Sequence, residues 1–120
     1  VGRFLDFARL ARVRVAYNEP FDGRIVRIAL RRNMQDAAAE EWLTFPTPRC
    51  AMQMYRAWTN GGRWRVQDAY ERITGDVHAG AHDAMADTLA LHKVFFHLYG
   101  HERVKQAAFA PAALASDYGF

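Results

Sequence analysis

Apolar positions recur along this chain first at helical spacing and then at strand spacing. Phe4, Leu5 and Leu10 predict a short amphipathic helix at the start. Val13, Val15 and Tyr17 then alternate with Arg12, Arg14 and Ala16, which is the period of a β-strand. Asn18 reads as a helix N-cap with Pro20 tolerated in the first turn, so a helix should run from about Glu19 to Arg32. Ala37 to Leu43 predicts another short helix, and Pro46 and Pro48 break the chain into an extended stretch reaching Cys50. Met52 to Trp58 reads as helical, and Asn60-Gly61-Gly62 as a loop. Val66, Ala69, Tyr70 and Ile73 mark a further helix that Gly75 stops. Asp83 is the expected N-cap of a long last helix, from Ala84 to about Tyr99, with Gly100 beyond its end. An alanine-rich C-terminal tail occupies 101–120, where Pro111 should end any helix begun near Glu102. The whole reads as a single domain over 1–120, dominated by helices, with fewer legible strands than a stable sheet needs.

Two aspartates stand out when these helices are drawn end-on. In the first long helix Asp22, Ile25, Val26 and Ala29 share one stripe, while Arg24, Arg27 and Arg31 take another face. In the last helix Asp87, Leu91, Val94, Phe95 and Leu98 share a stripe in the same way. Each aspartate is thus expected at the N-terminal end of a core-facing row. Burying an ionised carboxylate without compensation is costly, so a cation or strong donors should meet them. A first-turn carboxylate is also favoured by its helix dipole alone, which is the simpler account of either residue. Hard divalent cations such as Mg²⁺ or Mn²⁺ prefer carboxylate oxygens and are the natural compensation. His82 lies five residues before Asp87, and an unprotonated imidazole there can take a proton from water as a general base. Ala84 and Ala86 beside it leave room for a substrate backbone.

Composition narrows the partners. Half the residues are apolar (51%) and 24% are charged, the balance of an ordinary soluble globular chain. No run approaches the roughly 18 apolar residues of a membrane span, so no membrane partner is expected. The single cysteine, Cys50, has no internal partner, which favours a reducing, cytoplasmic setting. The net charge is +3, and Arg3, Arg9, Arg12, Arg14, Arg24, Arg27, Arg31 and Arg32 all fall within the first 32 residues. That density suggests a phosphate-facing surface.

With these residues in view, the chain resembles the DEDDh (DnaQ-like) 3′→5′ exonucleases of the ribonuclease H-like superfamily. Val15-Ala16-Tyr17-Asn18-Glu19-Pro20-Phe21-Asp22 resembles the family's second motif, a strand followed by Asn and then Phe-Asp. Ala81-His82-Asp83-Ala84-Met85-Ala86-Asp87 resembles the third motif in its histidine form, H-x-x-x-x-D. The segment from Cys50 to Gly75 is similar to the middle of such domains, and the resemblance spans about Phe4 to Tyr99. It implies an α/β ribonuclease H-like fold and a phosphodiesterase holding two Mg²⁺ or Mn²⁺ ions. Asp22 and Asp87 would be metal ligands and His82 the general base. Asn18, Arg24, Arg27 and Arg31 would face nucleic acid, a single-stranded 3′ end, with DNA favoured. The family's first motif, Asp-x-Glu on the first strand, lies several dozen residues before the second, whereas Asn18 is here preceded by 17 residues. Phe4-Leu5-Asp6-Phe7 has the flavour of that motif, but Ala8 stands where the glutamate belongs. The fold is therefore expected to lack its first strands and to be helix-rich. Truncation, a completing chain or homodimer at the open sheet edge, or a non-catalytic remnant that binds nucleic acid or a partner would each account for that. Whichever holds, the chain alone is expected to be close to inactive.

His78 and His82, and His97 and His101, are spaced four apart as helical zinc ligands can be, but Gly80 and Gly100 interrupt the pairs. Trp42, Trp58, Trp64 and Phe96 could stack on bases, though such residues more commonly form core. Cys50 has no companion signature of a thiol enzyme.

Overall fold

A computed structural model describes residues 2–107. The chain forms two compact units, one ending at Cys50 and one beginning at Ala51. In the first, helix α1 (Gly2–Ala8) leads to strand β1 (Val13–Ala16), helix α2 (Glu19–Arg32), helix α3 (Asp36–Glu41) and strand β2 (Thr47–Cys50). The second holds α4 (Ala51–Trp58), α5 (Val66–Thr74) and α6 (Ala84–Ala107). The class is α/β and helix-rich, with a single two-stranded sheet among the described residues.

The first unit is built around a β-α-β connection. β1 and β2 run parallel, with Val13 opposite Thr47 and Ala16 opposite Cys50. Parallel strands cannot be joined by a tight turn, and here α2 and α3 make the crossover. Leu5, Leu30, Ala38, Ala39 and Trp42 form the core beneath them, with Ala8 and Val26 packed alongside. Arg14 lies over the Trp42 ring, 4.3 Å from its centroid, so a β1 side chain covers the core tryptophan.

The buried face of α2 differs from the stripe expected for it. Gly23 and Leu30 are buried and Val26 is half-buried, whereas Ile25 is 50% exposed and Asp22 and Ala29 are exposed. The stripe is rotated by one residue, because the strands and α3 claim the 23/26/30 row. Asn18 does stand at the N-cap position, but its side chain makes no cap hydrogen bond. Beyond the C-cap Asn33 the chain turns through the left-handed Met34 (φ 59°), with the Gln35 N–H donating to the Leu30 carbonyl at 2.8 Å. Leu10, expected on the buried side of α1, lies beyond that helix and is 83% exposed.

In the second unit α4 and α5 each pack on α6. The expected α6 stripe is buried at Val94, Phe95 and Leu98 and half-buried at Asp87 and Leu91, and Ala90 and Tyr99 are buried beside it. Gly75 closes α5 in the left-handed conformation (φ 78°), as its position suggests. The end of α6 is a correction, since the helix continues through Gly100 to Ala107. One glycine costs a helix only about 1 kcal/mol, too little to stop a helix already packed over several turns. The expected effect of Pro111, and most of the tail, lie outside the described residues. No described helix is long and apolar enough to cross a membrane.

Candidate functional site

Asp22 lies in the first turn of α2, where Asn18, Pro20 and the helix start fix its backbone: the Asp22 N–H donates to the Asn18 carbonyl at 3.1 Å. The residue is exposed overall yet lines a cavity of about 210 Å³ with Phe4, Arg14, Glu19, Val26 and Trp42. Arg14 closes one side, its Nη2 donating to Glu19 Oε1 at 2.8 Å and its Nη1 to the Pro46 carbonyl at 3.1 Å. Glu19 is thereby ion-paired, whereas Asp22 has no ion pair among the described residues. Partial burial, and then the charge of Glu19, push the Asp22 carboxyl above its ordinary range.

Asp87 lies in the first turn of α6. Asp83 starts that helix as expected, its Oδ2 accepting the Ala86 N–H at 2.9 Å. The loop before it folds back so closely that a Cβ on Gly80 would run into the Ala86 side chain. His82 ends this loop in the left-handed region (φ 73°), uncommon for a residue with a side chain, and the side chain is exposed. The group against Asp87 is His78, whose Nε2 lies 2.6 Å from Asp87 Oδ1. The His78 side chain is 5% exposed, against 36% for Asp87. Its backbone N–H donates to Glu71 Oε1 at 3.4 Å, and its ring rests 5.5 Å from that of Tyr70.

Asp22 and Asn18 thus belong to the first unit, and His82 and Asp87 to the second. Within the second, the structure brings His78 rather than His82 into contact with Asp87. In the sequence His78 carries no signal beyond its spacing of four from His82, because its contact with Asp87 depends on the tight turn at Gly80. Neither aspartate is met by a Lys or Arg among the described residues, and Asp87 Oδ2 has no hydrogen-bond partner there. Among those residues no cluster of three or more His, Cys, Asp or Glu side chains converges. The donors present, two carboxylates with unneutralised oxygens, suit hard divalent cations.

Arg24, Arg27 and Arg31 do share a face of α2. Arg24 and Arg31 are exposed and Arg27 half-buried. Arg31 donates to Glu40 at 2.9 Å, while Arg24 and Arg27 have no ion pair among the described residues. Of the candidate stacking rings, Trp42 is core at 8% exposed. Trp64 carries Arg56 over its face at 4.0 Å. Phe96 is 43% exposed and packs on Phe95 and His92. His97 and His101 lie on one unbroken helix, with their rings edge-on to Trp58 at 5.7 and 6.4 Å. Compared with protein families, curated proteins and solved structures, the chain matches none.

Proposed function

We propose that this chain contributes Asp22, Asp87 and His82 to the active site of a metal-dependent 3′→5′ exonuclease with a ribonuclease H-like fold. The observation that carries the reading is the pair of first-turn aspartates, neither neutralised by a Lys or Arg, one of them followed back five residues by an exposed histidine. Asp22 and Asp87 would hold Mg²⁺ or Mn²⁺ through their unneutralised oxygens. Two such ions would supply charge stabilisation to the attacking and leaving oxygens of the phosphodiester. His82, exposed at the mouth of α6, takes the proton of the attacking water as the terminal phosphorus–oxygen bond breaks and a nucleotide leaves the 3′ end. Arg24 and Arg27 offer uncommitted cations to the phosphate backbone, with DNA the favoured substrate and Asn18 at the start of the same helix. A cytoplasmic setting rests on the lone Cys50.

No Asp-x-Glu occurs anywhere in the 120 residues. The remaining carboxylates of such a site would come from another segment or chain, paired at a free edge of the small sheet. The test is to assay the chain with Mg²⁺ or Mn²⁺ and 3′-labelled single-stranded DNA, alone and with a strand-forming segment bearing Asp-x-Glu fused upstream. Little turnover alone is expected, with metal-dependent nucleotide release once completed, abolished by Asp87→Asn and by His82→Ala. Robust digestion that survives both substitutions would refute the assignment. The second reading, a non-catalytic nucleic-acid-binding domain, is favoured by the unpaired Arg24 and Arg27; salt-dependent binding with no turnover in the completed protein would support it.

A further inference from the structure

We propose that His78 is a positioning residue for Asp87, fixing the carboxylate so that Oδ2 is presented to a divalent cation. The inference rests on the reading of Asp87 as a metal ligand. His78 is the least exposed titratable side chain of the 78–87 loop, and its Nε2 reaches Oδ1 at 2.6 Å. Any protonation state carrying hydrogen on Nε2 donates along that line. A carboxylate on the first turn of a helix is otherwise able to rotate about both side-chain torsions. Here one oxygen is committed, and the other has no partner among the described residues. The histidine is itself held from α5, through its backbone N–H on Glu71 and its ring against Tyr70. Position is thus transmitted from α5 through His78 to the start of α6. Partners of this kind, which orient a ligating side chain from behind, typically matter by 10- to 100-fold in metal affinity.

The experiment uses Mn²⁺ alone as the probe on the full 120-residue chain. Paramagnetic broadening of the backbone amides around Asp87 is titrated in the wild type and in Asp87→Asn, His78→Gln and His78→Leu. Melting temperature and the amide spectrum are followed in parallel. The wild type should show local broadening that Asp87→Asn removes. His78→Gln keeps an N–H donor and should stay within a few-fold of wild type. His78→Leu keeps the buried bulk without a donor and should bind on the order of 10- to 100-fold more weakly while α6 remains folded. A merely structural histidine would instead lower the melting temperature and leave Mn²⁺ affinity unchanged. Equal affinity in wild type, His78→Gln and His78→Leu would overturn the positioning role and leave the metal reading standing. Absence of any broadening near Asp87 in the wild type would overturn both together.

Discussion

Replacing Arg24 and Arg27 together by alanine should flatten the salt dependence of single-stranded DNA binding while leaving α2 intact. Both side chains lie on one face of the helix and neither has an ion pair among the described residues, so each is available to a phosphate. A cation that neutralises a phosphate on a single strand contributes about 0.7 to the slope of log affinity against log salt. Losing two should lower the slope by about 1.4, so that over a roughly fourfold rise in salt the wild type loses about sevenfold more affinity than the variant does. Arg31 is different, because Glu40 holds it at 2.9 Å. Arg31→Ala should therefore change the slope less, and Glu40→Gln, which releases Arg31, should steepen it by up to about 0.7. Alanine is the better helix former, so circular dichroism should show no loss of helix. Fluorescence anisotropy with a labelled oligonucleotide across a salt series reads all four proteins. Identical slopes would return these arginines to a solvated face and remove the contact surface that the nucleic-acid reading requires.

Leu30 is 2% exposed at the centre of the first unit's core, so Leu30→Ala should cost about 2–5 kcal/mol in urea unfolding; a loss under 1 kcal/mol would mean this core is not packed as described. Asp22→Asn should raise the melting temperature at neutral pH. The folded state holds the Asp22 proton more tightly than the ordinary 3.8 implies, so stability falls as pH rises through that range and the variant's advantage should vanish near pH 3; a lower melting temperature at pH 7 would refute this. A Cβ on Gly100 meets open space in the middle of α6, so Gly100→Ala should stabilise by about 0.4–1 kcal/mol, measured by thermal unfolding.

The elements with strong local signals were legible in the sequence. α2 begins and ends where Pro20 and the apolar period place it, and α5 stops at Gly75 because only a left-handed cap fits there. Asp83 caps α6 as its side chain suggests. What local pattern could not supply was tertiary competition. The buried row of α2 is chosen by the strands and α3 it packs on, which shifts it one residue from the row containing Asp22. Gly100 looks like a stop but sits in a helix already held by Val94, Phe95 and Leu98. At the candidate site, Asp22, Asp87 and His82 were visible as spacings, because their positions depend on helix starts. His78 was not, since its approach to Asp87 is made by a loop whose closure at Gly80 and Ala86 is a matter of steric fit rather than of periodicity.

That loop has a consequence for how the second unit comes together. Its polar contact joins residues only nine apart, His78 and Asp87, and the turn between them is tied by the Asp83 N–H on the Gly80 carbonyl at 2.9 Å. Closing a segment that short sacrifices little chain entropy, and closure over about ten residues takes on the order of tens of nanoseconds. The arrangement of His78, His82 and Asp87 is therefore a near-neighbour event. It can be in place as soon as α5 and α6 dock, before any long-range strand pairing is complete. A rearranged or recombined chain that keeps α5, the loop and the first turn of α6 keeps all three groups in register.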